Sequence, residues 1–295
     1  MRSTGLHRGV ELHELGSQFM CALGSDGVMC PALQAVCQGI HIGLHIVLRS
    51  SWHRRNRIHR HNGLMALSVE DPIVHNIHFY PGQPMQIDIN ALSHDIQYKL
   101  ISSTVVPRPI ALISTYGEET GDNAAPFSFF NAMGENPPVL VVGLEMRRHD
   151  KSLKDTTINI MKNGQFVIHL VDEGLGEAMN ICAVDFPPSV SETDMAGLTM
   201  VPSTLIKPKR IQEAPVAFEC EKITFLQISP DRHIVVGKVV MMHVRDGLFD
   251  PATYYIDPEK YHPIGRMFGQ LYTRTRDHFK MTVPSYEDWQ KTHPK

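Results

Sequence analysis

The sequence lacks the signatures by which nucleotide enzymes usually announce themselves. No G-x-G-x-x-G follows a predicted strand and no G-x-x-x-x-G-K-[ST] occurs, so there is neither a Rossmann fingerprint nor a P-loop. A Gly-x-Ser-x-Gly elbow and a His-Glu-x-x-His pair are absent as well, which removes the common hydrolase and metalloprotease readings. Cysteine is sparse: five residues, an odd number at scattered positions with no Cys-x-x-Cys. That argues against a disulfide scaffold and a structural zinc site, and fits a reducing compartment. No apolar run approaches the roughly 18 residues of a membrane helix; the longest near-apolar stretch runs only from Gly39 to Leu48. The net charge of −3 offers no basic excess for nucleic acid and no acidic solvating tail. What is present is a globular composition, 42% hydrophobic and 20% charged over 295 residues, enough for one large domain or two ordinary ones.

The charge is unevenly spread. Residues 1–64 hold seven Arg, no Lys and three acids (Glu11, Glu14, Asp26), a net of +4, against −7 for the remainder of a chain whose total is −3. The same segment holds seven of the 17 His and three of the five Cys (Cys21, Cys30, Cys37). Three readings fit it: an Arg-rich targeting segment, a disordered arm, or sequence upstream of a true start at Met65. Cytoplasm is the default location, with mitochondria or plastids left open by the Arg-rich start. His41 and His45 share a helix face at metal-binding spacing, but no acidic partner stands between them, and two polar residues in a weak apolar stretch is the plainer reading. The run from Ser51 to Asn62 (SWHRRNRIHRHN) could touch phosphates and reads better as a solvated basic linker.

From about Tyr98 the apolar runs become short, β-branched and bounded by turn residues, the strand pattern. Strands are expected near Ser103–Val106, Ile110–Thr115, Ala125–Phe130, Val139–Leu144, Gln165–Val171, Ala217–Gln227 and His233–Val244, with a hairpin turn over Gly117–Asp122. Two helices stand out, Leu153–Lys162 and Leu175–Ala183. In the first, Leu153, Thr156, Thr157, Ile160 and Met161 recur at helical spacing. Ser152 is placed to cap it, with Asp155 three residues on, and Gly164 to stop it. Strands separated mainly by turns argue against a doubly wound parallel sheet. The expected fold is mainly β: an antiparallel barrel or sandwich with a few flanking helices.

Chemistry-bearing candidates fall in three stretches. Pro107-Arg108-Pro109 interrupts an apolar strand, so the backbone there lies at an edge or bulge; it is either a wall for a flat ligand or an ordinary strand start. Asn123–Asn131 (NAAPFSFFN) offers Ser128 and Asn131 as small hydrogen-bonding groups beside Phe129 and Phe130. Lys151–Thr156 (KSLKDT) opens a helix, where free N–H groups and the dipole favour an anion, with Arg147 and Arg148 just upstream; a plain capped surface helix fits equally. Cys182 and Cys220 read as core rather than nucleophiles, and His169, His233 and His243 as structural residues on strands. Any redox chemistry therefore falls to a bound cofactor.

In this order, YKLISSTVVPRPIALIST (98–115), NAAPFSFFN (123–131), ENPPVLVVGL (135–144), LKDTTINI (153–160), GQFVIHLV (164–171), EAMNICAVDFPP (177–188), AGLTMVPS (196–203), APVAFEC (214–220) and HIVVGKVVMMHVRD (233–246) resemble the flavin reductase-like, FMN-binding split-barrel family, flavoredoxin-type proteins included. The resemblance spans about 98–280, after a 65–97 lead-in and before a 281–295 tail. It implies a Greek-key split β-barrel, a homodimer with FMN near its interface, and NAD(P)H as a transient hydride donor, the electrons passing to free flavin, a small acceptor or a partner monooxygenase. An FMN-binding electron carrier or flavin-storage protein without nicotinamide turnover is the alternative, and a dimeric interaction module without flavin a third. By the same resemblance Arg108, Pro109, Thr115, Ser128, Phe129, Asn131, Lys154, Asp155, Thr156 and Tyr272 are the expected FMN contacts, with Gly265, Arg266, Gly269 and Arg274 near the flavin or the partner subunit. No metal is implied. His169 stands where the family pattern leads one to expect asparagine.

Overall fold

A computed structural model describes residues 86–294, except 119–120, 148–149 and 188–189. It also gives the backbone of five short strands before them: Gly9–Glu14, Ser17–Ala22, Arg60–His61, Leu64–Met65 and Ile77–His78. The His41/His45 pair, and the Ser51–Asn62 run apart from the backbone of Arg60–His61, lie outside the described residues. The chain divides into two units, Met1–Leu100 and Ile101–Lys295. In the first, Gly9–Glu14 pairs with Ser17–Ala22, Arg60–His61 with Leu64–Met65, and Ile77–His78 with Gln86–Ile87. Helix α1 (His94–Thr104) leads into the second.

Seven strands form the main sheet of the second unit: β1 (Ala111–Gly117), β2 (Gly121–Phe127), β3 (Phe130–Glu135), β4 (Pro138–Glu145), β5 (Gln165–Leu170), β6 (Val216–Ser229) and β7 (Arg232–Val244). Their order is β2-β1-β5-β6-β7-β4-β3, and every neighbouring pair is antiparallel. One core cluster joins Ala111, Ile113 and Phe127 from one side of this order to Leu140, Val142 and Leu144 from the other, around Phe166, Ile168, Cys220 and Val235. The sheet is therefore curled into a barrel about its own apolar face. The alternate residues of β1 and its approach, Ile110 and Leu112, pack on the opposite face with Val171, Leu175, Met179, Cys182 and Ile211. Burial on both faces explains why this strand reads as a continuous apolar run.

Helix α2 (Asp155–Asn163) sends Ile160 into the barrel core. Gly164 ends it in the left-handed conformation at φ 70°. The Lys222 ammonium donates to the carbonyls of Ile160 (3.2 Å) and Met161 (2.9 Å), a cation where the dipole favours one. Helices α3 (Gly176–Ile181), α4 (Glu192–Met195) and α5 (Tyr286–Thr292) are short. A hairpin of β8 (Ile264–Arg266) and β9 (Tyr272–Arg274) follows the barrel.

Four local expectations are corrected. Ser103–Val106 is no strand: α1 runs to Thr104, and the carbonyls of Ser102 and Val105 are gathered by Arg108. Ala125–Phe130 is not one strand; β2 ends at Phe127 and β3 begins at Phe130, because Phe129 turns its carbonyl to the Gly143 N–H (2.7 Å). Ser152 does not cap α2. The N-cap is Lys154, which makes no side-chain cap bond, while the Ser152 hydroxyl donates to Asp150 Oδ1 (2.8 Å). The strand-and-turn reading also missed α1 and α4.

Candidate functional site

The Pro-Arg-Pro step is a hub. Flanked by two prolines without N–H groups, Arg108 alone can bridge to a neighbouring strand. It does so with β8, its N–H donating to Arg266 O (3.0 Å) and accepting from Arg266 N–H (2.8 Å) through its carbonyl. Its buried guanidinium donates to the carbonyls of Ser102, Val105 (2.9 Å) and Met267 (2.6 Å), and through Nε to the Ser128 hydroxyl (3.3 Å). It also lies 5.7 Å from the centroid of Phe129. One side chain thus ties the end of α1, the end of β8 with the Met267 that follows it, and the break between β2 and β3. Pro109 is exposed beside it. On the same hairpin the Arg266 guanidinium lies 4.5 Å from the centroid of the exposed Tyr272 ring.

A second group meets the same break at Phe127. The Lys154 ammonium lies 5.3 Å from the Phe127 ring centroid and 3.9 Å from Glu145, whose carboxylate also takes Arg232 at 2.6 Å. The loop that delivers Lys154 is held by Arg147. Its guanidinium donates to Leu153 O (2.8 Å), to Asp155 (2.8 Å) and to the Ser152 hydroxyl (3.3 Å), and lies 3.5 Å from Asp185. Within that loop Lys151 adopts φ 59°, a left-handed conformation costly for a residue with a Cβ. Asp155 is therefore spent on Arg147, positioning the loop.

Beneath the start of α2 lies a buried amide–hydroxyl network. Asn123 donates to Thr156 Oγ1 (2.9 Å) and Thr115 Oγ1 (3.4 Å), and Asn159 donates to Thr115 Oγ1 (3.0 Å). Thr115 and Thr156 thus turn inward and lock α2 onto β1 and β2. Sequence reasoning missed Asn123 and Asn159; carboxamides within otherwise apolar elements were the available signal, since a buried carboxamide needs partners. Asn131 stands on β3 opposite Val141, exposed, its Oδ1 accepting from Ala132 N–H (2.8 Å). The structure brings together Arg108, Ser128 and Phe129, and separately Lys154, Asp155 and Thr156. The continuous segment Phe127–Phe129 joins the two groups.

The remaining candidates are structural. His169 is fully buried; a carbonyl can only accept, so Nδ1 donates to Leu112 O (2.8 Å) while Nε2 accepts from Ile211 N–H (2.8 Å). Burial pushes its pKa down to about 4, with Arg210 and His243 adding to the effect against the Leu112 bond. The ring is a neutral crosslink in a fixed tautomer. His243 bonds the fully buried Glu219 (2.7 Å), which also accepts from the N–H groups of Thr204 (2.6 Å) and Leu205 (2.8 Å). Burial raises the pKa of that carboxyl, but these bonds outweigh it and hold the group below the usual carboxylate range. His233 is buried against Phe225, ring centroids 5.2 Å apart. Burial drives the thiols of Cys182 and Cys220 up to about 12, so neither is a nucleophile. Among the described residues no cluster of His, Cys, Asp and Glu could hold a metal, and no helix is long and apolar enough to cross a membrane.

The barrel agrees with what the chain resembles. Residues 102–265, more than half of its length, match the flavin reductase like domain. The chain belongs to that family, whose class is the split-barrel flavoprotein oxidoreductases. The 2-nitrobenzoate 2-nitroreductase NbaA of Pseudomonas fluorescens is 38% identical and superposes with a TM-score of 0.62, over 68% of this chain and 97% of that one. Component B of the nitrilotriacetate monooxygenase of Bacillus cereus is 30% identical with a TM-score of 0.63, over 68% and 100%. A split-barrel protein of Shewanella frigidimarina, at 20% identity and a TM-score of 0.56 over 66% and 96%, shares the fold.

Proposed function

We propose that the protein binds FMN and passes hydride from NAD(P)H through it to a second acceptor, working as a homodimer in the cytoplasm. The observation that carries this reading is the placement of Arg108 against Ser128 and the exposed Phe129, and of Lys154 against Phe127, at the two ends of one short break between strands. The donor set fits the cofactor. An exposed aromatic ring, a proline and a tyrosine on a rigid frame offer flat apolar contact to an isoalloxazine ring. The Ser128 hydroxyl and the backbone at the break offer hydrogen bonds to its polar edge. Lys154 and the first turn of α2 offer one cationic anion site, matched to the single phosphate of FMN. Arg108 fixes the ring side, Arg147 and Asp155 fix the loop carrying Lys154, and Thr115, Thr156, Asn123 and Asn159 hold α2 from beneath. Bound FMN would supply the hydride and electron transfer, which no side chain among the described residues is placed to perform.

The acceptor is proposed from the relatives' chemistry. One is named for reduction of an aromatic nitro group and another as a monooxygenase component, so a nitroaromatic or a partner monooxygenase fits. The homodimer is supported by an apolar outer sheet face that borders Phe129. The test is the absorbance spectrum of purified protein loaded with FMN, followed anaerobically on adding NADH and then NADPH. Bleaching of the flavin bands with either nucleotide is expected. Bands that persist with both would favour an electron carrier, and a protein that takes up no FMN would overturn the reading.

A further inference from the structure

Strand alternation leaves an apolar surface outside the barrel. Phe225, Val235 and Val142 stand in one cross-strand row and pack in the core. Their alternate neighbours therefore face outward: Leu226 opposite Ile234, and Val236 opposite Val141. Leu226 is 47% exposed and Ile228, further along the same strand, 61%. The row of Ile234 and Leu226 continues to Gly143, against which Phe129 rests.

The other end of the chain carries a matching element. After β9, residues 275–285 run without helix or strand until Ser285 caps α5. Phe279, Met281 and Val283 alternate along this arm and are 81%, 80% and 90% exposed. In an extended segment this alternation would put all three on one side, as for a strand lying on a surface. Tyr286 and Trp289 follow, also exposed and stacked at 6.4 Å. The root of the arm is fixed: Arg274 and Arg276 grip Glu173 at 3.2 and 2.7 Å, and the Thr275 hydroxyl donates to Pro263 O (2.7 Å). A rigid root bearing this much apolar surface needs a cover.

We propose that residues 275–294 of one copy dock across the outer face of β4, β7 and β6 of a second copy. The inference rests on the homodimer reading above and specifies its interface. Both complementary surfaces belong to this chain, and a two-fold exchange pairs each arm with the other copy's face. Eleven extended residues reach roughly 36 Å, close to the width of a domain whose radius of gyration is about 16 Å. The five apolar side chains would bury roughly 700 Å² of each arm; with a similar area on each face covered, two arm–face contacts remove about 2,800 Å² in total, the size of obligate homodimer interfaces. A docked arm would also border Phe129 of the copy it covers.

Sedimentation of the full chain at about 10 μM tests this, with full dimerisation expected. Phe279→Asp with Val283→Asp alters only exposed side chains, so folding is spared, and is expected to weaken the dimer about 100-fold or more. Leu226→Asp with Ile228→Asp should do the same. Mixing the two monomeric variants should regenerate a dimer, since one intact arm then meets one intact face. A monomeric wild-type chain would refute the homodimer and this inference with it. A dimer indifferent to the arm substitutions would overturn the arm alone, and a mixture that stays monomeric would overturn docking in trans.

Discussion

Replacing Arg108 by lysine keeps the charge and removes the fork. An ammonium can follow the carbonyls of Ser102 and Val105 on one side. It cannot at the same time reach Met267 O, now 2.6 Å from the guanidinium, and Ser128 Oγ, now 3.3 Å away. The first is a strong charge-assisted bond and the second a long one, and a bond to a charged group contributes roughly 1.5–3 kcal/mol. The expected loss is about 3 kcal/mol, which for a domain of this size lowers Tm by roughly 6–12 °C. The lost bonds are those that hold Met267, just past β8, and Ser128 in place, so FMN affinity should fall about tenfold as the competent arrangement becomes less populated. Calorimetry of the FMN-free protein gives the first number and quenching of FMN fluorescence gives the second. A variant destabilised by less than about 1 kcal/mol that binds FMN like the wild type would refute the assignment of Arg108 as the hub.

Three further outcomes follow from the packing. A Cβ on Gly265 would stand 2.7 Å from Pro107 Cβ. Gly265→Ala should therefore push β8 off the Pro-Arg-Pro step and cost roughly 1–3 kcal/mol in chemical denaturation; an unchanged midpoint would contradict the close approach. Cys182 and Cys220, with thiols raised to about 12 by burial, should resist alkylation at pH 8 in native protein and react fully in denaturant. His169 is neutral when folded, its pKa lowered from 6.5 to about 4. The unfolded chain thus binds the extra proton between these values, and stability should fall with pH by about 2 kcal/mol from this residue on reaching pH 5. Its ring resonance should show no titration above pH 5, and a midpoint near 6.5 would contradict the crosslink.

The sheet was legible because its strands are β-branched runs cut by turn residues, and β6 and β7 match their expected spans to within two residues. Helix α2 was legible from Ile160 and its neighbours and from Gly164. Its start was misjudged because Arg147, not a local cap, organises residues 150–155. The β-branched Thr104-Val105-Val106 run suggested a strand where α1 ends. The deciding partner, Met267, is 159 residues from Arg108, beyond any local signal. The three site stretches were visible as motifs, yet the inward turn of Thr115 and Thr156 depends on Asn123 and Asn159, which meet them only in the fold.

The proposed site rests on one anion position at Lys154 and a flavin lying against Ser128 and Phe129. The direct measurement is calorimetric titration of the protein with FMN and with riboflavin, which lacks the phosphate, in the wild type and in Lys154→Glu. FMN should bind more tightly than riboflavin by about tenfold or more, a difference that disappears in the variant while riboflavin binding stays. Equal affinity of the wild type for the two flavins, or an FMN preference untouched by the charge reversal, would contradict the proposed site.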